Sequence, residues 1–456
     1  MTAPNIRRVL APTEAIFVGD ETYVGYSVRV AGRIDLEALQ VAYAAVCQAY
    51  PVLPARLDLD NGAPAVVPSD VQPEIWCADG DPDLPLRHVT LDQCRALSAL
   101  EVIQNRTSGT DGADATNGTD ASVTLATQHS IADADHSLAV LAALWSAYTD
   151  AVAGVPIALP RNGYPRSLED LLAERGIGIG TGTAAAPTHP VEAETARPST
   201  DSVQPPPNSV RPSADSVPHV RHVAGFRLSR ERTAALIALG HREQVTINSL
   251  LSGVVLLAEA EIRDLPLADL VYRFSVNLRS HLTPPVGPAE GTNIAGGLRF
   301  QLADSADGAA KPDAIALGRA VGARLRAGLA DGSVQRALVD RVGRAPAAAA
   351  TAAPVAAPVP RPVPRPAQRS AAVVSMVNWG TVPVLQHPED LRLVDFRSAS
   401  RMRVLPGRQK FAAIGGYVAH TFDGRLGVEL SWPEADPEQT KRLDLIQERL
   451  TELADR

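Results

Sequence analysis

Two proline-rich stretches fix how the rest of this chain can be arranged. The first runs from about Gly178 to His219, the second from about Arg344 to Arg369. Of the 37 prolines, eight lie between Pro187 and Pro218 and seven between Pro346 and Pro366. Proline has no backbone N–H to give a helix or a sheet, and these segments offer no apolar face, so both favour polyproline II and solvated coil. The first stretch is read as a boundary between two halves. That divides the chain into an N-terminal lobe (1–177), a Pro/Ser/Thr-rich crossover linker (178–220) and a C-terminal lobe (221–456). The second stretch is read as a Pro/Ala-rich insertion at about 344–370 in the C-terminal lobe. A shorter polar segment, Thr107 to Asp120, is read as a surface loop.

The remainder has the composition of an ordinary enzyme. At 456 residues it can form two domains with ample cores. No apolar run approaches the ~18 residues of a membrane span, and no long apolar run follows Arg7 and Arg8, so neither a transmembrane segment nor a secretory signal is expected. A net charge of −8 and 4% aromatic residues argue against nucleic acid as a partner. Cys47, Cys77 and Cys94 have no metal-site spacing, so no metal is expected. They fit reduced, buried thiols in a cytoplasmic protein. Lysine occurs only at 311, 410 and 441, which removes most Schiff-base and P-loop readings.

Strand and helix signals alternate in both halves. Tyr23 to Val30 reads as a strand, and Asp35 caps a helix that Pro51 stops. The strand Ser122 to Thr127 leads through Gln128-His129-Ser130-Ile131-Ala132-Asp133 into an apolar helix from about Ser137 to Val152. In the C-terminal half Ser229 and Thr246 cap two helices, Leu270 to Asn277 is a strand, and Asp313 to Leu329 is a helix. Val373 to Met376 is a strand running into Asn378-Trp379-Gly380. Phe411 to Phe422 and Leu426 to Trp432 form a hairpin about Asp423-Gly424, and Glu438 to Ala454 is an amphipathic helix. The fold class is therefore α/β or α+β with two comparable lobes.

His129 is the local feature with most chemical content. It sits at the mouth of a strand just before a helix, with Asp133 four residues on. Histidine is the usual general base near neutral pH. A histidine beside an aspartate in a turn is more often structural, so spacing alone leaves both roles open. His136 beside Asp135 carries the same ambiguity.

His129-x-x-x-Asp133 resembles the His-His-x-x-x-Asp-Gly signature of the superfamily of condensation domains and chloramphenicol acetyltransferase-like enzymes. Within it the chain is most similar to the phthiocerol/phthiodiolone dimycocerosyl transferases. The resemblance continues in order through Ile34-Asp35-Leu36, Tyr50-Pro51-Val52-Leu53, Tyr148-Thr149-Asp150-Ala151-Val152 and Leu171 to Gly176. It extends through Thr246-Ile247-Asn248, Val276-Asn277-Leu278-Arg279, Leu282 to Val286 and Gly291-Thr292-Asn293.

The resemblance implies two similar lobes, each a mixed sheet flanked by helices, with a tunnel at their interface. It implies an O-acyltransferase in which His129 is the general base that deprotonates an acceptor hydroxyl. Asp133 would form a salt bridge with Arg279, a planar fork suited to clamping a carboxylate bidentately. Asn378-Trp379-Gly380 resembles the end of a second, structural signature, Asp-Phe-Gly-Trp-Gly. Gln128 stands where the motif has its first histidine, and it can still donate and accept hydrogen bonds. Ala134 stands where the motif has glycine, and alanine there is expected to narrow or shift the turn. Asn293 is assigned to motif support.

No permanently bound cofactor is implied. The donor would be an acyl-CoA or an acyl thioester on a phosphopantetheine arm, with a long-chain or polyketide acyl group. The acceptor would be a diol or phenolic alcohol. An acyl carrier protein or polyketide synthase is the candidate partner, with Arg401, Arg403 and Arg408 as a possible basic docking cluster, and a monomer is expected. Two alternatives follow from the same residues. One is a free-standing condensation enzyme with an amine acceptor. The other, motivated by Gln128 and Ala134, is a degenerate member that recruits a partner.

Overall fold

The computed structural model describes residues 7–105, 120–178, 217–302, 312–350, 372–404, 416–433 and 437–456. The polar loop 107–119, most of the linker (179–216), 351–371 of the insertion, and Arg408 lie outside the described residues.

Two six-stranded sheets form the frame. In the N-terminal half the strands are β1 (Arg8–Val9), β2 (Tyr23–Ala31), β3 (Arg56–Asp58), β4 (Ala65–Val67), β5 (Ile75–Asp79), β6 (Ser98–Asn105) and β7 (Asp120–Gln128). The helices there are α1 (Pro12–Ala15), α2 (Leu36–Ala49), α3 (Ala134–Val152) and α4 (Leu168–Glu174). The C-terminal half follows with β8 (Val217–Val220), β9 (His222–Arg227), α5 (Arg230–Glu243), α6 (Ile247–Ile262), β10 (Leu270–Asn277) and β11 (Ala295–Phe300). It closes with α7 (Ala314–Ala330), α8 (Ser333–Ala350), β12 (Ala372–Thr381), β13 (Arg392–Val404), β14 (Gly416–Phe422), β15 (Arg425–Trp432) and α9 (Pro437–Ala454). One sheet has the order β5-β6-β7-β2-β13-β8, the other β11-β10-β12-β14-β15-β9, and a small sheet is β1-β4-β3.

Local sequence explains most element starts. Asp35, Asp133, Ser167, Ser229, Thr246 and Asp313 each accept a backbone N–H from the first turn of the helix they precede. Asp423 and Gly424 have φ of 51° and 71°, the left-handed pair that a tight hairpin between β14 and β15 requires. α6 and α7 approach closely because Gly253 lies against the Ala314 carbonyl, where a Cβ would collide. α6 is buried in the C-terminal core with Leu250, Val254 and Val255, while α2 and α3 cover the N-terminal sheet through Tyr43, Leu141 and Trp145. Among the described residues no single helix is long and apolar enough to cross a membrane.

The lobes are not simple halves of the chain. β13 lies within the expected C-terminal lobe (221–456), yet it pairs antiparallel with β2 from Arg392↔Ala31 to Arg401↔Tyr23. β8, the end of the expected linker (178–220), adds to β13. The N-terminal sheet is thus completed by two later strands. The Pro/Ala-rich insertion also begins later than 344, because α8 continues to Ala350. The alanine run 347–350 has the highest intrinsic helix propensity and extends the helix. β14 is described from Gly416, and the expected hairpin residues 411–415 lie outside the described residues. Of the three thiols expected to be buried, Cys47 is buried, Cys94 is half-buried and Cys77 is exposed.

Candidate active site

His129 occupies the turn between β7 and α3, held by one backbone contact and two contacts to its ring. Its backbone N–H donates to the Thr22 carbonyl at 2.8 Å. Its Nδ1 faces the Ala132 carbonyl oxygen at 3.1 Å. A carbonyl only accepts, so Nδ1 carries the proton and Nε2 is left with its lone pair. The Phe17 ring stacks on the imidazole with centroids 4.0 Å apart and planes 27° apart. Burial pushes the imidazole pKa below its ordinary value, against the opposing pull of the Ala132 carbonyl and the Asp133 charge. The ring is therefore held neutral, the form a general base needs.

Asp133 ties the turn to the C-terminal half. Its Oδ1 caps α3 by accepting the His136 N–H at 3.1 Å. Its Oδ2 accepts from Arg279 Nη1 at 2.5 Å and from the Ile294 N–H at 2.9 Å. Arg279 sits in a short 3-10 turn after β10 and is 5% exposed. Its clamp on Asp133 is single rather than bidentate. Nη2 turns instead to the Gly291 carbonyl at 3.0 Å, because the segment 291–294 runs between the two residues and its carbonyls need donors. One guanidinium thus holds a carboxylate of one lobe and a backbone oxygen of the other.

Asn293 and Thr292 complete the crossing. Asn293 Nδ2 donates to the carbonyl of His129 itself at 2.6 Å. The Thr292 hydroxyl donates to Glu14 Oε1 at 2.6 Å, and the Asp133 N–H reaches the Thr292 carbonyl at 2.9 Å. His136, buried, faces the Gly291 carbonyl through Nδ1 at 3.2 Å, and burial takes its pKa down to about 4. Asp135 accepts from Asn277 Nδ2 at 2.5 Å, and burial with the Asp133 charge raises its pKa to about 6.

The two motif departures sit in unstrained places. Gln128 is fully buried, and its Oε1 accepts the Ser130 N–H at 2.5 Å, spanning the turn that carries His129. Its Nε2 donates to Gln93 Oε1 at 3.0 Å and to the Phe17 carbonyl at 3.3 Å. Ala134 is the first residue of α3 and has no left-handed φ, so its backbone there does not require glycine.

Asn378, Trp379 and Gly380 lie at the end of β12. Asn378 Nδ2 donates to Asn248 Oδ1 at 3.2 Å, and its own Oδ1 accepts the Gly380 N–H at 2.8 Å. Gly380 has φ of 73° at the register shift between β12 and β14. Trp379 is half-buried and packs on Tyr26 of the N-terminal sheet, centroids 4.8 Å apart. Of the expected basic cluster, Arg401 donates to the Val89 carbonyl and Arg403 pairs with Glu21, while Arg408 lies outside the described residues. A cavity beside β8 and β9, lined by Asp83, Arg87, Arg221, His222 and Arg397 among others, holds none of the candidate residues. Among the described residues no group of three His, Cys, Asp or Glu is placed to hold a metal ion.

Sequence reasoning missed Phe17 and Glu14, neither of which carries a local pattern: each is recognisable only by what the fold brings against it. Asn277 lies in the Val276-Asn277-Leu278-Arg279 segment, but its contact with Asp135 is visible only in the fold.

Comparison with known proteins bears on the whole arrangement. The profile of the phthiocerol/phthiodiolone dimycocerosyl transferase C-terminus matches residues 218–431. A phthiocerol/phthiodiolone dimycocerosyl transferase of Mycobacterium sp. (strain JLS) is 31% identical over 343 residues, covering 74% of this chain and 76% of that one. The structure of polyketide synthase associated protein 5 from Mycobacterium tuberculosis aligns over 100% of both chains with a TM-score of 0.71 and 24% identity. Trichothecene 15-O-acetyltransferase from Fusarium sporotrichioides aligns over 98% of this chain and 95% of its own with a TM-score of 0.60 and 13% identity. With its two-lobed acetyltransferase-like fold and its 31% identity to the transferase of Mycobacterium sp. (strain JLS), the chain belongs to the phthiocerol/phthiodiolone dimycocerosyl transferase family.

Proposed function

We propose that this O-acyltransferase moves a long-chain or polyketide acyl group from a thioester to an acceptor hydroxyl, with His129 as the general base. The observation that carries the proposal is the setting of the His129 ring: Nδ1 faces the Ala132 carbonyl, which leaves Nε2 as the nitrogen to take a proton, and burial favours the neutral form. In the proposed step Nε2 removes the hydroxyl proton as the alkoxide attacks the thioester carbonyl. The tetrahedral intermediate collapses, the C–S bond breaks, and the departing thiolate takes the proton from the imidazolium. Asp133 and Arg279 hold the turn and do no chemistry. The unstrained setting of Gln128 and Ala134 supports an active enzyme over a degenerate one.

The donor is assigned as an acyl-CoA or an acyl-carrier-protein thioester, both of which present the same thiol arm. The acceptor is assigned as a diol or phenol. The name of the mycobacterial neighbour supports a polyketide synthase as the source of the acyl group. We place the enzyme in the cytoplasm as a monomer, with no permanently bound cofactor. Its cysteines, none in a disulfide among the described residues, fit that compartment.

Mass spectrometry of products from a panel of acyl thioesters with paired alcohols and amines tests the reading. An ester, with turnover falling on the order of 10²-fold or more in His129→Ala, is expected. Amide formation alone would reassign the acceptor, and full turnover by His129→Ala would remove the base.

A further inference from the structure

The residues just before β2 form a strap that touches both lobes and ends on the His129 ring. Its anchor is Glu14, which is fully buried. Glu14 accepts from Arg8 Nη2 at 2.5 Å, from the Ala11 N–H at 2.8 Å and from the Thr292 hydroxyl at 2.6 Å. Beside it Thr13 donates its hydroxyl to Glu169 Oε2 at 2.7 Å and its N–H to Glu169 Oε1 at 2.9 Å. α1 is also packed against α8 of the C-terminal half. A four-residue helix has no stability of its own, so these contacts and not helix formation hold the strap in place.

The strap ends at Phe17. Its carbonyl accepts from Gln128 Nε2 and from the Thr22 N–H, and its ring lies on the imidazole of His129. Thr22 in turn accepts the His129 N–H. The imidazole therefore has a flat neighbour on one face, fixed to the same backbone that fixes its main chain. A flat aromatic neighbour stacked on the imidazole favours one orientation of the ring over its alternatives.

We infer that Phe17 is a positioning residue for the acyl transfer, holding the His129 ring at a fixed tilt under the control of the Glu14–Thr292 contact between the lobes. The inference rests on His129 being the base. A base must lie within about 3 Å of the proton it takes, in line with the reacting oxygen, so freedom to rotate about its side-chain bonds lowers turnover without altering substrate affinity. The same ring keeps water from one face of the imidazole. Asp133 is the charged group that acts on the ring from α3.

Three variants test it, with kcat, KM for donor and acceptor, and the His129 titration read by NMR of histidine-labelled protein. Phe17→Ala is expected to lower kcat about tenfold with each KM within about twofold, since only the reacting geometry is lost. Its His129 pKa is expected to rise by about half a unit as water reaches the ring. Phe17→Tyr, which keeps the flat face, restores both kcat and the titration. Phe17→Leu keeps volume without the flat face and covers the case in which Phe17→Ala fails to fold; it is expected to lower kcat as well. Wild-type kcat and an unmoved titration in Phe17→Ala or Phe17→Leu overturn the inference. So does an equal loss in all three variants, which would mark a general packing role. If His129→Ala keeps its turnover the base assignment fails, whereas the His129 titration in Phe17→Ala still reports whether Phe17 governs the ring.

Discussion

Arg279 Nη1 meets Asp133 Oδ2 at 2.5 Å while Arg279 Nη2 holds the Gly291 carbonyl at 3.0 Å, so one side chain joins the turn that carries His129 to the opposite lobe. Both partners are nearly buried, with side-chain exposures of 6% and 12%. Removing one charge from such a pair leaves the other without compensation, a loss of roughly 3–5 kcal/mol. Arg279→Ala is expected to show that loss in urea titration, and Arg279→Lys to recover only part of it because a point charge cannot reach both oxygens. Asp133→Asn keeps the α3 cap and is expected to be less damaging than Asp133→Ala, which forfeits about 1 kcal/mol more for the cap. An Arg279→Ala variant as stable as the parent would show that the pair contributes nothing net.

Stability near pH 5 should be flat because two neighbours titrate in opposite senses. The folded-state pKa of Asp135 is raised to about 6, so its contribution is greatest in acid and is lost as pH rises through 6. The folded-state pKa of His136 is lowered to about 4, so the folded form excludes a proton that the unfolded form binds below its ordinary value. Its contribution is lost as pH falls from about 6.5 towards 4. Asp135→Asn removes only the first and is expected to make stability fall steadily with acidification over that window. His136→Asn should do the reverse. Urea midpoints at pH 4.5, 5.5 and 6.5 decide the matter, and parallel profiles for both variants would show the two groups are not linked to folding.

Catalysis has its own acid limb. With His129 as the proposed base, the neutral imidazole is the form that works, and burial lowers its pKa, so activity should persist below the ordinary imidazole range before protonation stops it. A plot of kcat/KM against pH for a small thioester and alcohol checks this. A limb above the ordinary imidazole value would contradict the buried setting.

Much of this architecture is legible in the sequence where signals are local. Ser229, Thr246 and Asp313 announce their helices because capping is a contact between residues two or three apart. The His129-x-x-x-Asp133 turn is legible because its strand and helix are both apolar and continuous. β13 is not, because Asp395, Arg397 and Arg401 put charge along a strand whose further partners, Arg227, Asp83 and the Val89 carbonyl, come from distant parts of the chain. Strand β6 is passed over for a related reason: it is buried along most of its length and shows no period. Phe17 is the clearest case, since its partner lies more than a hundred residues away and only the folded chain brings the rings together. Proline-rich composition marks the connections well, yet it cannot tell that strands on either side of a connection join one sheet.

Gln128 offers a test of whether its amide replaces the support a motif histidine gives. Its Oε1 satisfies the Ser130 N–H inside the turn, in a place closed to water. Gln128→Leu leaves that donor, and the Gln93 amide oxygen, without partners at a cost of about 1–3 kcal/mol each. Lower stability together with a reduced kcat and nearly constant KM is the expected outcome, since the loosened turn carries His129. Unchanged kcat in a destabilised variant would confine Gln128 to folding.

Arg227 of β9 also crosses between the sheets, and its removal should unfasten β13. Arg227 Nε reaches Asp395 Oδ1 at 3.0 Å and its Nη2 reaches Glu429 Oε1 at 2.6 Å and the Phe396 carbonyl at 2.5 Å. Glu429 has a side-chain exposure of 1%, and its other oxygen accepts the Ser398 N–H at 2.9 Å and the Ser398 hydroxyl at 2.5 Å. Arg227→Met strands that carboxylate in the interior and is expected to lower stability by about 3–5 kcal/mol. Glu429→Gln made in the same chain keeps an acceptor for Ser398 while removing the charge, so the double variant should be more stable than Arg227→Met alone. A double-mutant cycle from urea unfolding measures the coupling directly. Additive losses would mean that Arg227 and Glu429 do not act as a pair, and that the backbone ladder from β2 to β13 alone keeps the late strand in the early sheet.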